Sequence, residues 1–247
     1  MIFQQKGIMI RQTNYSESSR IITVLTEDGT QVPMMARGFN KPKSPFIVLR
    51  QGIKEVLFTY NRFKGIGTLN ETDVVQPFKY INNTFSVYTY ASYIVELIIR
   101  ALEEDQQQES FYRLLIKSAS LLEDKSTPAA VTAFAAIKML PYYGGQMNVD
   151  ECATCGSRDR SRFSHYSFSY HGVICADCFN EDTGVRSVPV KSRVLYLAGY
   201  MKHVALHNVE SINVTDENGK ALLKFVEMIY DEYTGVFFKS RKLIETL

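Results

Sequence analysis

Apolar and polar residues alternate along the N-terminal third of the chain, in five short segments rich in β-branched and aromatic side chains. Such alternation is typical of β-strands that bury one face. Asp28-Gly29 lies between the second and third segments and predicts a hairpin turn there. Five short strands in a module of this size predict a small closed barrel. The segments are GIMIRQ, RIITVLT, QVPMMARG, KEVLFTY and IGTLNETDVV.

The connection between the third and fourth segments reads RGFNKPKSPF. Pro42 and Pro45 lack the backbone N–H that a β-ladder needs, so this stretch is not a central strand. Its arginine, its lysines and its turn residues predict a basic, exposed loop instead.

From Gln76 the hydrophobic period changes to that of a helix. Apolar residues recur every three or four positions between Phe78 and Leu102, which predicts one long helix ending near Glu104. Ser110 is a favourable N-cap residue and predicts the start of a second helix.

Three further helices are predicted from their end signals. Proline favours the first helical position, glycine favours the position after the last, and aspartate is a common cap. The predicted limits are Thr127-Pro128 and Gly144-Gly145 for the first, Pro189 for the start of the second, and Asp216 for the cap of the third.

The four cysteines form two CxxC pairs, Cys152 with Cys155 and Cys175 with Cys178, separated by nineteen residues. This spacing lets each pair aim two thiolates at one ion, while a short β-hairpin in the spacer returns the second pair. Four thiolates complete the tetrahedral shell of one Zn²⁺ and leave no position for substrate or water. The pattern therefore predicts one structural zinc.

Two other interpretations of the cysteines fit less well. The N-terminal MIFQQKGIMIRQ is no secretory signal, so we expect a cytoplasmic protein, where disulfides are rare. A redox-active CxxC needs one pair near a βαβ pattern, which the surrounding sequence does not supply.

Together these patterns predict an α+β protein. An OB-fold barrel of five strands is expected over residues 1–76, and a helical domain over residues 77–247, with the zinc module, residues 148–183, inserted into it. The chain has 247 residues, of which 45% are hydrophobic, so it can bury a core in more than one module.

Charge changes this picture more than composition does. Net charge is only +2, but residues 1–80 carry eleven Lys or Arg and six Asp or Glu, whereas the remainder carries seventeen and twenty. Positive charge is thus concentrated in the N-terminal third. The longest apolar runs fall far short of the roughly 18 residues that span a bilayer, so no membrane partner is expected.

Motifs for catalysis are missing from the sequence. There is no GxxxxGK[ST] loop, no GxSxG elbow and no HxE before a CxxC, so we expect no enzyme. His203 and His207 form an HxxxH on a predicted helix, but Val204 stands where a metalloprotease has glutamate. No third ligand is evident nearby, and we interpret this pattern as an exposed helix face.

The basic barrel is the candidate for function, because OB folds bind oligonucleotides. Cations can follow a phosphate backbone while interleaved aromatic rings stack on bases. Phe58 is expected in the barrel core, and Tyr60 or Phe63 could either fill the core or stack on bases. Phe39 and Phe46 lie in the loop, where we expect their rings to be available for stacking. An ordinary solvated surface is the alternative for the cations. The candidate DNA-binding residues are Arg37, Phe39, Lys41, Lys43, Arg50, Arg62 and Lys64.

The stretches KGIMIRQTNYSESSRIITVLTEDG, ARGFNKPKS and GTLNETDVV, followed by a helical domain interrupted by CATC and CADC, resemble the RecO family of bacterial recombination mediators. The resemblance covers essentially the whole chain. Its most specific part is the tyrosine- and serine-rich turn that runs into the TEDG hairpin and the ARG loop. Phe39-Asn40 stands where a doubled basic residue is often found.

The resemblance implies a non-enzymatic DNA repair and recombination protein of the bacterial nucleoid. Members bind single- and double-stranded DNA, anneal complementary strands and contact the C-terminal tail of single-stranded DNA-binding protein. With RecR they load RecA on coated strands.

Two other classes of function remain open at this point. A zinc-ribbon transcription or replication factor would read duplex DNA, but would need a recognition helix richer in arginine or asparagine than those predicted after Pro189 and Asp216. A metalloenzyme would need an open position on its zinc, hence fewer than four thiolates.

Overall fold

The computed structural model describes residues 1–103 and 106–247. The chain forms two compact units, Met1–Glu123 together with Leu247, and Asp124–Thr246. The predicted domain limits at residues 76, 77, 148 and 183 stay predictions.

The first unit begins with the predicted five-stranded barrel. The strands close in the order β1-β2-β3-β5-β4, with β3 and β5 parallel and the other pairs antiparallel. This is the topology of an OB fold, and the predicted α+β fold class is confirmed. The strands are β1 (Ile2–Asn14), β2 (Arg20–Thr26), β3 (Gln31–Ala36), β4 (Glu55–Asn61) and β5 (Gly67–Gln76).

The β2–β3 hairpin turns where the Asp-Gly pair predicts it. Oδ1 of Asp28 accepts hydrogen bonds from Oγ1 of Thr26 at 2.6 Å and from the N–H of Thr30 at 3.1 Å. Gly29 has φ +83°, a left-handed conformation that glycine adopts without strain. These contacts fix the register of the two strands.

The barrel core also contains two aromatic residues of the β3–β4 connection. Phe39 and Phe46 are 1% and 3% exposed and belong to the cluster that includes Phe58. The prediction that both rings are available to a ligand is wrong. The inward-facing strand residues fill the interior of a barrel but do not cover its end. Apolar loop residues must pack over that end to exclude water.

In the described residues of the first unit, the barrel is followed by the helices α1 (Lys79–Asn83), α2 (Phe85–Ala101) and α3 (Glu109–Glu123). The prediction of one long helix is wrong, because Thr84 is extended, at φ −119° and ψ 103°. The carboxylate of Glu123 accepts hydrogen bonds from the N–H groups of Tyr80 and Ile81, which satisfies the free start of α1. The predicted end at Glu104 lies outside the described residues.

Helix α3 begins at Glu109, two residues before the start that a Ser110 cap predicts, so Ser110 lies in its first turn and is not its cap. The helices α1, α2 and α3 pack on one another with a buried face that includes Tyr93, Leu97 and Leu115.

The second unit is mainly helical, with a small sheet inserted. Its elements are α4 (Pro128–Met139), β6 (Phe163–Ser167), β7 (Gly172–Cys175), α5 (Glu181–Gly184), β8 (Ser187–Pro189), α6 (Ser192–His203), α7 (Asp216–Tyr233) and α8 (Arg241–Ile244). Helix α4 is buried almost all round between α6 and α7, which explains its lack of a polar face. No helix in the described ranges combines the length and apolar character needed to cross a bilayer.

The predicted helix ends in this unit are partly correct. Pro128 occupies the first position of α4, and Gly144 ends the following turn at φ +72°. Pro189, however, ends β8, and α6 starts at Ser192. The cap of α7 is Thr215, whose hydroxyl accepts from the N–H of Asn218 at 3.3 Å.

Candidate nucleic-acid interface and metal centre

The four cysteines come together in the second unit. Cys152 and Cys155 precede β6, Cys175 ends β7, and Cys178 ends a short turn after it. The β6–β7 hairpin returns the second pair to the first, as the spacer length predicts. All four Sγ atoms lie within 4.8 Å of one another. This geometry suits one tetrahedral ion.

Backbone donors prepare this cluster for thiolates. Burial acts to raise the pKa of Cys152, but the N–H groups of Cys155, Cys175 and Thr154 outweigh it and lower that pKa to about 6. Hydrogen bonds with Cys175 and Cys155 raise the pKa of Cys178 to about 12. A divalent cation bound at this cluster would stabilise the deprotonated thiolates.

The histidines lie outside this cluster. The ring of His165 stacks on Phe179, with 3.7 Å between centroids. His203 ends α6, but His207 lies in a separate turn, Leu206–Asn208, so the predicted pair on one helix face is wrong. Across the described ranges, the cysteine group is the one set of metal-ligating side chains that converges.

Asp150 ties the first cysteine pair to helix α6. Its carboxylate accepts hydrogen bonds of 2.8 Å from both Lys202 and His203 and lies 3.6 Å from Arg160. Burial opposes ionisation, but the hydrogen bonds from Lys202 and His203 prevail and lower the pKa of Asp150. Sequence inspection misses this residue, since its partners are about 50 positions away.

The β3–β4 connection carries the first group of predicted DNA-binding residues. Arg37, Lys41 and Lys43 are exposed, and none lies within ion-pair distance of a described carboxylate. Arg50 differs, because its guanidinium donates to the carbonyl oxygens of Phe39, at 2.6 and 3.0 Å, and Lys41. Arg50 thus holds the loop together from its half-buried side.

Asn40 joins this loop to the turn between β1 and β2. Its side-chain amide donates to the carbonyl oxygen of Glu17 at 2.9 Å, and its N–H donates to that of Ser18 at 3.0 Å. Arg20 donates to Oδ1 of Asn40 at 3.0 Å and lies over the ring of Phe39. Asn40 and Arg20 were not among the predicted site residues, and they order the loop that presents Lys41 and Lys43.

The β4–β5 turn carries the second group. Lys64 is exposed, while Arg62 donates to the carbonyl oxygen of Gly65 at 2.9 Å and shapes the turn. The ring of Phe63 is 92% exposed. Tyr60 is a core residue instead, stacked on Phe3 with 5.3 Å between centroids.

Strand pairing separates the two basic groups. Met34 of β3 lies opposite Gly67 of β5, and the two strands are parallel. Arg37 follows Met34 by three residues, whereas Lys64 precedes Gly67 by three residues. Because the strands are parallel, the two basic groups lie at opposite ends of the β3–β5 pair. Both are next to the β2–β3 face on which OB folds bind oligonucleotides.

Comparison with known protein families matches both halves of this architecture. A family model described as the N terminal of recombination protein O matches residues 1–78, and one described as its C terminal matches residues 82–242. This chain belongs to the RecO family. The family predicted from the sequence motifs is confirmed, and the chain is a DNA repair protein of that family.

Relatives that match over the whole chain support the same family assignment. The chain is 32% identical over 247 residues to the DNA repair protein RecO of Staphylococcus epidermidis, which covers 100% of this chain and 97% of the relative. It is also 32% identical to the DNA repair protein RecO of Staphylococcus aureus strain MRSA252, with 100% and 98% covered. The RecO match thus includes the barrel, the helices and the cysteine module.

Proposed function

We propose that this RecO family protein binds single-stranded DNA across its barrel and anneals complementary strands without bond chemistry. It acts on double-stranded DNA as well and, with RecR, helps load RecA on strands coated by single-stranded DNA-binding protein. The observation that carries the proposal is the pair of exposed basic segments beside the β2–β3 face, whose lysines have no carboxylate partner among the described residues.

The electrostatics of these segments suit a polyanion. Lys41, Lys43 and Lys64 are exposed, and no described carboxylate lies within ion-pair distance of them, so their ammonium groups are accessible to phosphates. Each phosphate neutralised on a single strand adds about 0.7 to the salt slope of binding. Phe63 supplies an exposed ring for base stacking, which is tolerant of sequence. Arg37 joins the contacts, while Arg50 and Arg62 position the loops.

Annealing needs only these interactions. Neutralised phosphates let two strands approach, and stacking holds bases exposed until they pair. The protein then has no catalytic residue, in agreement with the motifs missing from its sequence. A duplex-reading zinc-ribbon factor is not favoured, because the RecO match includes the barrel as well as the cysteine module.

The cysteine cluster holds one structural Zn²⁺ in this proposal. Cys152, Cys155, Cys175 and Cys178 supply four thiolates, the donor set that zinc prefers, and leave no open position. Cys175→Ser should lose the metal and unfold the module, whereas Ser161→Ala, an exposed change in the same module, should retain it. Metal analysis and the thiolate absorption of a cobalt-substituted sample give the readout. Full metal content in Cys175→Ser would contradict the assignment.

The helical domain, residues 77–247, supplies the contact for the acidic, apolar-ended tail of single-stranded DNA-binding protein. The protein works in the cytoplasm, at the nucleoid. The barrel, residues 1–76, is the main DNA surface. The metal-stabilised module, residues 148–183, is an insertion in the helical domain.

The test is annealing of two complementary labelled oligonucleotides at two salt concentrations, without nucleotide, with and without the coating protein. We expect annealing faster than the spontaneous reaction, slowed by salt. Salt-independent annealing, or cleavage of either strand, would contradict the proposal.

A further inference from the structure

A groove of about 550 Å³ opens in the first unit between the start of β4 and the helices α1 and α2. We call it the lysine–aromatic groove. The function proposed above does not use it. Its lining includes Gln51, Lys54, Lys79, Asn83, Phe85 and Tyr88.

The groove is cationic. Lys54 and Lys79 come from two different wall segments, and no acidic residue is part of the lining. In the described part of the chain neither lysine is within 4.0 Å of a carboxylate oxygen. Burial lowers the pKa of Lys54, whose ammonium donates only to the carbonyl oxygen of Gln51 among the described partners. An anion entering the groove would restore the missing counter-charge.

Two aromatic rings lie at the same opening. Phe85 is the first residue of α2 and is 71% exposed, and Tyr88 is 37% exposed. Residues three apart on a helix lie on one side, so both rings face the same solvent region. Exposed rings beside unpaired cations are the combination that single-stranded nucleic acids use, with phosphates on the cations and bases on the rings.

The floor of the groove is rigid. The amide of Asn82 donates to the carbonyl oxygens of Ile53 and Pro77, at 2.9 and 2.7 Å, and its Oδ1 accepts from the N–H of Ile53 at 2.8 Å. Gly52 has φ +72°, and a Cβ there would come within 2.3 Å of that Oδ1. The groove is therefore formed before any ligand arrives, which lowers the entropy cost of binding.

We propose that the lysine–aromatic groove is a second contact site for single-stranded nucleic acid, in which Lys54 and Lys79 bind phosphates and Phe85 and Tyr88 stack on bases. It lies at the first residue of β4, whereas the Lys64 turn follows the last, about 23 Å away for a seven-residue strand. The groove wall continues the same connection that carries Lys41 and Lys43. The inference rests on the proposed DNA binding. It extends the DNA-contacting surface to the end of the barrel where β4 begins.

Tryptophan fluorescence tests the stacking directly, because the chain contains no tryptophan. Phe85→Trp places a single indole at the groove. Titration with an oligothymidylate should remove most of its emission, since a base stacked on the ring quenches it. Phe85→Ala should weaken binding on the order of tenfold, and Lys79→Gln should lower the salt slope by about 0.7. Thermal melting of each variant verifies the fold.

Two matched single-tryptophan variants separate the outcomes. Phe63→Trp reports on the β4–β5 turn, and Phe237→Trp, at a residue 53% exposed in the second unit, reports on a surface outside both sites. Quenching at Phe85→Trp without quenching at Phe237→Trp supports the groove. Quenching at Phe63→Trp alone overturns the groove and leaves the barrel function standing.

Three further outcomes of the quenching experiment would each overturn the groove proposal. No quenching at any position together with no oligonucleotide binding overturns both proposals. Equal quenching at all three positions indicates diffuse association and overturns the groove. If polyglutamate competes at Phe85→Trp as well as the oligonucleotide does, the groove takes acidic peptides and the nucleic-acid assignment is wrong.

Discussion

Tyr112 of α3 donates a hydrogen bond of 2.6 Å from its hydroxyl to Oε1 of Glu55, the first residue of β4, and both side chains are buried. Burial and the neighbouring Glu55 carboxylate raise the pKa of Tyr112, so the phenol remains a donor throughout the neutral range. This contact ties the helices of the first unit to the barrel at the end where the lysine–aromatic groove opens.

Tyr112→Phe should therefore destabilise the first unit. Losing the donor leaves the buried Glu55 carboxylate short of a partner, and we expect a cost of about 1–3 kcal/mol in the free energy of unfolding. Urea denaturation followed by circular dichroism measures it. Tyr15→Phe, at a residue 65% exposed, is the control and should change stability by less than about 0.5 kcal/mol. Equal stabilities of the two variants would show that the Tyr112 contact contributes nothing.

Asp150→Ala should weaken the attachment of the cysteine module to α6. The change removes acceptors for Lys202 and His203, and because these groups are partly solvated we expect a loss of roughly 1–2 kcal/mol. Glu151→Ala is the matched control, since Glu151 pairs only with the exposed Arg158 in the described structure. Chemical denaturation of the two variants compares them. A loss for Glu151→Ala as large as that for Asp150→Ala would refute the assigned role.

Glu227 should make the second unit less stable as pH rises from about 4.5 to 7. Burial raises its pKa to about 7, while Arg241 acts to lower it and the Asp231 and Glu245 carboxylates act to raise it further. The folded state thus holds a proton that the unfolded state releases near pH 4.5, and this contribution to stability is lost as pH rises through 7.

In the wild type we expect the free energy of unfolding to fall by about 1–2 kcal/mol over this pH range, after solvent screening. Glu227→Gln should abolish this loss. Thermal melting at several pH values gives the comparison, with Glu210→Gln as an exposed control in the same unit. A wild-type protein that gains stability between pH 5 and 7, with the gain removed by Glu227→Gln, would reverse the sign and contradict the assignment.

Local sequence signals account for the strands and the cysteine cluster. Alternation places Val24, Met34 and Phe58 in the barrel core, and the CxxC spacing correctly predicts which side chains converge. Both signals depend on neighbours a few residues away or on one short hairpin. For this reason the sequence alone is sufficient for the OB fold and for the candidate metal ligands.

Long-range contacts account for what sequence inspection missed. The break between α1 and α2 is stabilised by Glu123, more than 40 residues beyond Tyr80. The burial of Phe39 follows from closure of the whole barrel, and the contact of Asn40 with Glu17 from the meeting of two separate turns. None of these contacts leaves a periodic signal in the sequence. For this reason the aromatic residues Phe39 and Phe46, which the sequence places in an exposed loop, could not be recognised as core residues.

The most direct test of the central claim is the salt dependence of oligonucleotide binding by two charge-reversed proteins. Lys41→Glu/Lys43→Glu reverses two charges on the barrel loop, and Lys220→Glu/Lys224→Glu reverses two on the exposed side of α7. Net charge changes equally in both. We predict that the loop variant binds more weakly, with a salt slope smaller by about 1.4, while the α7 variant keeps the slope of the wild type. Equal losses in the two variants, or an unchanged slope in the loop variant, would show that the barrel is not the DNA-binding surface.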